Sequence, residues 1–297
     1  MKREVVLFLK GMAMGIANII PGVSGGTIAL ITGIYEEFIN SLKSFDIKAV
    51  KLLLSFHLKE FIEHTNLYFL ISVLGGSVFS MFSIAKLFEY LFDFYPEKLW
   101  SFFFGLIIAS VYYVGLRIEK WRIGSYIIFI IGTSIAVALA LLSPSSENSN
   151  LIYIFICGII GVSGMLLPGL SGSFILILMG NYELLMVDSI TESVKLNIDY
   201  IIYLSIFILG SVVGLFGFSH IISWLFKHFK DYVLSLLTGF ILGSLLIIWP
   251  WKKIIAENEL IESWYLPTLN ISTFISIFLM LIGFYIVLKL ESFSKDN

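Results

Sequence analysis

Apolar residues fall in long runs with short polar breaks, and run length decides what each segment can be. Three runs in each half are long enough to cross a hydrocarbon core of about 30 Å as helices. They are Leu67 to Phe92, Leu99 to Leu116 and Gly124 to Leu142, then Tyr200 to Phe226, Val233 to Trp249 and Ile271 to Leu288. Val5 to Ile20 reaches only roughly 24 Å as a helix. Pro21 stops it, the glycines that follow permit a tight turn, and Thr27 to Tyr35 returns before Glu36 and Glu37. Leu151 to Leu167, the break at Pro168 and Phe174 to Tyr182 repeat that design. Both pairs are expected to be re-entrant helical hairpins with tips buried in protein near the membrane middle. From Phe45 to His64, Ile47, Val50, Leu54, Leu58 and Phe61 recur at three- and four-residue steps with lysines between them, which predicts an amphipathic helix on the membrane surface.

The two breaks are versions of one motif. Pro21-Gly22-Val23-Ser24-Gly25-Gly26-Thr27 is echoed by Pro168-Gly169-Leu170-Ser171-Gly172-Ser173-Phe174, and the match extends without a gap from Gly11 and Gly158 to Tyr35-Glu36 and Tyr182-Glu183. It resumes in the spans, where Gly76, Ser77, Phe92, Ser101, Gly105 and Ser110 align with Gly210, Ser211, Phe226, Ser235, Gly239 and Ser244. A hairpin that returns to its own side plus three crossings inserts the second half upside down, an inverted repeat. The expected fold is an all-α integral membrane protein, a single membrane domain over 1–297, with repeats at about 1–142 and 151–290. Met1 to Ile20 has the outline of a secretory signal. Its internal counterpart predicts instead that it belongs to the mature fold.

Composition agrees with the class. Charged residues make up 13% of the chain and hydrophobic ones 58%, and that charged share is about half the soluble norm. Cys157 is the sole cysteine, so an internal disulfide and a thiolate metal cluster are excluded. No metal-ligand cluster, nucleotide-binding loop or basic nucleic-acid surface is apparent, and no cofactor is expected.

The net charge of −2 says little, but the placement of charges is informative. With the N-terminus inside, the cytoplasmic segments carry Lys2, Arg3, Lys10, Lys43, Lys48, Lys51, Lys59, Arg117, Lys120, Arg122, Lys227, Lys230, Lys289 and Lys295, against Lys98, Lys195, Lys252 and Lys253 outside. Both termini are therefore expected in the cytoplasm. Trp100, Trp249, Trp251 and Trp264 then mark the outer boundary, and Trp121 and Trp224 the inner one.

Opposed hairpin tips are where inverted-repeat transporters place their substrate. In each tip a Gly-x-Ser-Gly turn opens the returning helix, directing free N–H groups, a helix-dipole end and a hydroxyl at one point, which suits a phosphate or a carboxylate. Ionisable residues in apolar segments are few. Lys86 and His220 occupy equivalent places and are candidate charge partners. Glu36 and Glu183 are candidate carriers of a coupling proton or sodium ion.

The paired signatures, Pro-Gly-Val-Ser-Gly-Gly-Thr with Gly-Ile-Tyr-Glu (21–27, 33–36) and Pro-Gly-Leu-Ser-Gly-Ser-Phe with Gly-Asn-Tyr-Glu (168–174, 180–183), resemble those of the bacterial polyprenyl-phosphate translocases. The resemblance covers essentially the whole chain. It implies return of undecaprenyl phosphate, the carrier lipid of cell-wall precursors, from the outer to the inner leaflet of the cytoplasmic membrane. It also implies headgroup contacts at Pro21, Gly22, Ser24, Gly25, Gly26, Thr27, Pro168, Gly169, Ser171, Gly172 and Ser173. Asn181 and Phe174 make the two motifs unequal.

Two other readings stand beside it. A transporter of small soluble anions would use the same site physics. A rhomboid-like intramembrane serine protease would use one Gly-x-Ser-Gly serine with His220 as base, but the serine is duplicated, the histidine is not, and each serine follows a proline turn.

Overall fold

Helix α1 (Arg3–Ile19) starts the chain, and after the break Ser24 caps α2 (Gly25–Ile31), its Oγ accepting the Gly26 N–H at 3.1 Å. The computed structural model describes residues 3–19, 23–256 and 259–295, with side chains for all of these except 254–256, 259–262 and 290–295. The returning arm is shorter than expected. It ends at Ile31, and the chain turns at Gly33 (φ 77°) before α3 (Tyr35–Lys43) begins. Ile34 N–H donates to Ala29 O at 2.9 Å and Gly33 N–H to Leu30 O at 3.2 Å, the bond pair that closes a helix over a left-handed glycine.

The expected surface helix is two pieces, α4 (Ile47–Leu54) and α5 (Leu58–His64), parted by a left-handed Phe56 (φ 56°). Long apolar helices follow: α6 (Leu67–Phe94), α7 (Pro96–Leu116) and α8 (Ile123–Ala140). The second half opens with α9 (Leu151–Leu166) and α10 (Gly172–Leu178), then a turn at Gly180 (φ 74°) that repeats the Gly33 bonding through Asn181 N–H to Leu176 O and Gly180 N–H to Ile177 O. Where the first half has the regular α3, the second has a π-helical turn (Leu184–Asp188) and α11 (Ser189–Val194).

The helical stretch α12 (Ile198–Ser244) is two helical arms joined at Phe229, whose backbone is not helical. Tyr95, between α6 and α7, has φ −138° and ψ 44°, while Phe229 has φ −138° and ψ 41°. The same bend therefore occurs at matching places. At the first, Pro96 lacks the amide hydrogen needed to continue the helix, and at the second Lys230 keeps it. The expected separate spans Tyr200–Phe226 and Val233–Trp249 thus lie on the two helical arms either side of Phe229, and the second arm stops at Ser244, short of the expected Trp249. The fold is helical as expected, apart from one short ribbon among the described residues. Strands β1 (Lys252–Ala256) and β2 (Glu259–Trp264) form an antiparallel pair with Lys253 opposite Ser263, before α13 (Ile271–Lys295). Trp264 Nε1 donates to Leu246 O (3.0 Å) and Trp249 Nε1 to Tyr265 O (3.2 Å), which ties this ribbon to the bundle. Trp251 is buried, its indole N–H 3.2 Å from Glu97 Oε1.

Five helices among the described residues, α6, α7, α8, α12 and α13, are long and apolar enough to cross a membrane. Phe82, Ile130, Phe278 and Leu281 lie exposed on their outer faces. Helix pairing is made close by glycine, and it recurs between the halves. α1 packs on α6, where a methyl at Gly11 would strike the Val73 carbonyl and one at Gly76 that of Phe8. α9 packs on α12 with Gly158 against Phe207 and Gly210 against Phe155. The remaining pairs cross between halves: α7 lies on α13 through Gly105 and Gly283, and α8 on the second arm of α12 through Gly132 and Gly239. Every residue of α2 is buried, in contact with α1, α3, α7, α9 and α13. α10 buries only Ile175 and Leu176, and this imbalance leaves room for a cavity beside the second motif.

Candidate functional site

The two motifs meet. Thr27 Oγ1 accepts the Gly169 N–H at 2.9 Å, and Ser24 Oγ donates to Met165 O at 3.2 Å. Tyr35 O–H donates to Leu166 O at 3.0 Å. Gly169 has φ +83°, and a side chain there would also strike the Phe240–Ile241 backbone of α12. Glycine is required on both counts. Pro168 is buried beside it, while Pro21 and Gly22 lie outside the described residues.

A cavity of about 290 Å³ opens at this junction, lined by Ser24, Ser171, Gly172 and Ser173 of the motifs together with Asn18 and Ser211. Its apolar wall is Met81, Val162, Met165, Leu176, Met186 and Phe207. The motif serines play unequal parts. Ser24 is occupied as the cap of α2, but Ser171 caps nothing in α10 and its hydroxyl pairs with that of Ser173 at 2.7 Å. The free N–H groups expected at the first tip are taken: Gly25 N–H donates to Asn18 Oδ1 at 2.7 Å, Gly26 N–H to Ser24 Oγ, and Thr27 N–H to Ser24 O at 2.9 Å. Polar contact in the cavity therefore comes from hydroxyls and from the Asn18 amide. The sequence reading passed over Asn18, although a lone amide so close before the motif in an apolar helix was a legible signal. Ser211 appeared there only as a repeat match.

The far ends of the short arms differ in charge. The Ile31 and Thr32 carbonyls of the first arm accept from Arg117 Nη2 and Lys10 Nζ, both at 2.8 Å. The matching carbonyls of Leu178 and Met179 accept from neutral donors, Ser145 N–H (2.9 Å) and Tyr153 O–H (2.8 Å). Cations suit a helix C-terminus, and here they gather at one end of the molecule.

The remaining candidates lie away from the serine cavity. Lys86 and His220 are exposed on their helices and do not line it, and His220 Nδ1 sits 2.8 Å from Phe216 O of its own helix. No serine–histidine pair is formed, so the protease geometry is absent among the described residues. Glu36 pairs with Lys230 at 2.8 Å, and Glu183 is exposed just before the π-helical turn. No group of three or more metal-ligating side chains occurs among the described residues.

A family model described as VCA0040-like, undecaprenyl phosphate translocase-like, matches residues 14–263. The chain belongs to this family. It is 37% identical over 97% of its length to a polyprenyl-phosphate transporter of Vibrio cholerae serotype O1, covering 96% of that protein. It is 33% identical, again over 97% of its length, to a polyprenyl-phosphate transporter of Staphylococcus aureus, covering 96% of that one. No solved structure matches. Both motifs, the Thr27–Gly169 bond and every residue lining the serine cavity, Asn18 included, lie within the matched residues. With apolar helices of spanning length, family membership makes this a multi-pass membrane protein.

Proposed function

We propose that this protein carries undecaprenyl phosphate from the outer to the inner leaflet of the bacterial cytoplasmic membrane, returning the carrier lipid for reuse in cell-envelope synthesis. The observation that carries the reading is the cavity at the motif junction, where the hydroxyls of Ser24, Ser171 and Ser173 face an apolar wall that includes Met81, Met165 and Met186. Hydroxyls and an amide suit a phosphate headgroup, and flexible methionines suit an isoprenoid chain without one fixed shape. The family description and the names of the two relatives point to the same substrate.

The proposal includes the inverted repeat, with segments near 1–142 and 151–290 and both short-armed hairpins re-entrant. Matching bends at Tyr95 and Phe229, matching turns at Gly33 and Gly180, and paired glycine contacts support it. Cytoplasmic termini follow from the charge distribution, which Lys10 and Arg117 at the end of α2 extend into the bundle.

Inward movement of a charged headgroup against an inside-negative potential costs about 2.3 kcal/mol per charge per 100 mV. A co-transported proton or sodium ion would offset this, with Glu36 and Glu183 as carriers. Protonation of Glu36 would free Lys230 from its ion pair. The test uses protein-containing liposomes with labelled polyprenyl phosphate balanced between leaflets. The expected result is leaflet exchange that protein-free liposomes lack, together with asymmetry created by an imposed pH or sodium gradient and lost in Glu36→Gln with Glu183→Gln. Absence of exchange would refute the transport reading, exchange without a gradient response would remove the coupling, and uptake of soluble phosphate in place of lipid exchange would favour a small-anion transporter.

A further inference from the structure

A second cavity, of about 380 Å³, lies between α3 and the bend of α12, apart from the serine cavity. It is lined by Glu36, Ile39, Asn40, Lys43, Ser223, Phe226 and Lys227. We infer that this cavity is a second station for the phosphate monoester headgroup of the carried lipid, an inference that rests on the transport reading above.

Charge accounting is the first argument. Glu36 is the sole carboxylate lining the cavity, and Lys230 already neutralises it at 2.8 Å. Lys43 Nζ donates to a neutral hydroxyl, Ser223 Oγ, at 3.2 Å, and Ser223 in turn donates to Asn40 Oδ1 at 2.8 Å. Lys43 and Lys227 therefore bring positive charge that no lining carboxylate offsets. Two ammonium groups beside an amide and a hydroxyl match the oxygens of a phosphate dianion.

Position is the second argument. Phe226 forms one wall and packs against Tyr35 with ring centroids 5.6 Å apart, and the Tyr35 hydroxyl reaches Leu166 O at the motif junction. The two cavities have no lining residue in common, but Phe226 and Tyr35 connect this one to the motif junction. The third argument is one-sidedness. At the matching bend, the spacing that aligns Phe92 with Phe226 puts Glu89 in the place of Ser223 and Asp93 in that of Lys227. The cavity at that bend is lined by Lys252 and Lys253 together with two carboxylates, Glu89 and Glu97, so of these two cavities only the one at α3 has an excess of positive lining charge, as expected of a station that retains a headgroup after it has crossed.

Full-length protein in nanodiscs, titrated with farnesyl monophosphate and separately with farnesol, tests this. Lys43→Gln with Lys227→Gln is expected to weaken farnesyl monophosphate binding at least tenfold and leave farnesol binding unchanged, while Lys43→Arg with Lys227→Arg retains most of the affinity. Unchanged phosphate binding in the glutamine pair, or equal loss of both ligands, would overturn the inference. Inorganic phosphate competing as strongly as farnesyl monophosphate would overturn the assignment to a lipid headgroup. Parallel titration of Ser24→Ala and Ser171→Ala separates the two sites. Loss in the lysine variants alone upholds this cavity and refutes the serine site, and loss in the serine variants alone does the reverse.

Discussion

The Gly169 N–H donates to Thr27 Oγ1 at 2.9 Å across 142 residues of chain, joining the second proline–glycine motif to the first. Both groups are buried, so Thr27→Val, which keeps the shape and deletes the hydroxyl, leaves an N–H without a partner. A loss of about 1–3 kcal/mol is expected, read as a lower unfolding midpoint in detergent. Thr27→Ser should recover most of it. Equal midpoints for Thr27→Val and the parent would show that the bond holds nothing together.

The two motif serines should differ when truncated. Ser24→Ala removes both a helix cap and a bond to Met165 O, so stability should fall by about 1 kcal/mol along with lipid binding. Ser171 caps no backbone group, so Ser171→Ala should leave the unfolding midpoint near the parent's while weakening phosphate-lipid binding by about 1.5–3 kcal/mol. Identical profiles for the two variants would argue against the asymmetry between the tips.

Gly105 and Gly283 let α7 and α13 approach until their backbones touch. Alanine at either position forces the helices apart, and a cost of about 1–3 kcal/mol is expected, visible as reduced thermal stability of the solubilised protein. Gly75 and Gly217 face open space, and alanine there should be neutral.

Orientation is open to chemical labelling. In a Cys157→Ala background, which removes the buried native thiol, Ser146→Cys should react with an impermeant maleimide outside intact cells. Glu119→Cys should react only after permeabilisation. The opposite pattern would exchange the leaflets faced by the two hairpins.

Asp46 caps α4 by accepting the Ala49 N–H at 2.9 Å, and His64 Nε2 lies 3.1 Å from the same carboxylate. The Ala49 bond first, and the His64 contact after it, hold the Asp46 carboxyl below the usual carboxylate range. A lowered folded-state pKa contributes stability at pH above the unfolded value, and that contribution is lost as pH falls through the folded one. Asp46→Ala should therefore cost about 1 kcal/mol near neutral pH. The difference from the parent should fade in acid, as unfolding measured across a pH series would show.

Much of this protein is written in its local pattern. Apolar runs of spanning length, the prolines that end the short arms and the duplicated glycine–serine turn each follow from short-range physics: what water excludes, what proline forbids and what glycine allows. On that basis the membrane class, the unequal arms and the meeting of the motif tips were legible from the residues, and the family resemblance pointed to the lipid.

Other features depended on partners distant in sequence. That Ser24 caps its helix and Ser171 does not follows from α2 being buried among five helices while α10 is only partly buried, which no local window contains. Asn18 joined the site because the returning chain placed the Gly25 N–H against it. Glu36 became half of an ion pair because the bend at Phe229 swung Lys230 onto it. Hydrophobic periodicity fixes which face of a helix is buried, but the choice of neighbour is made by close glycine contacts and paired charges between segments far apart in the chain. Those the folded structure alone could decide.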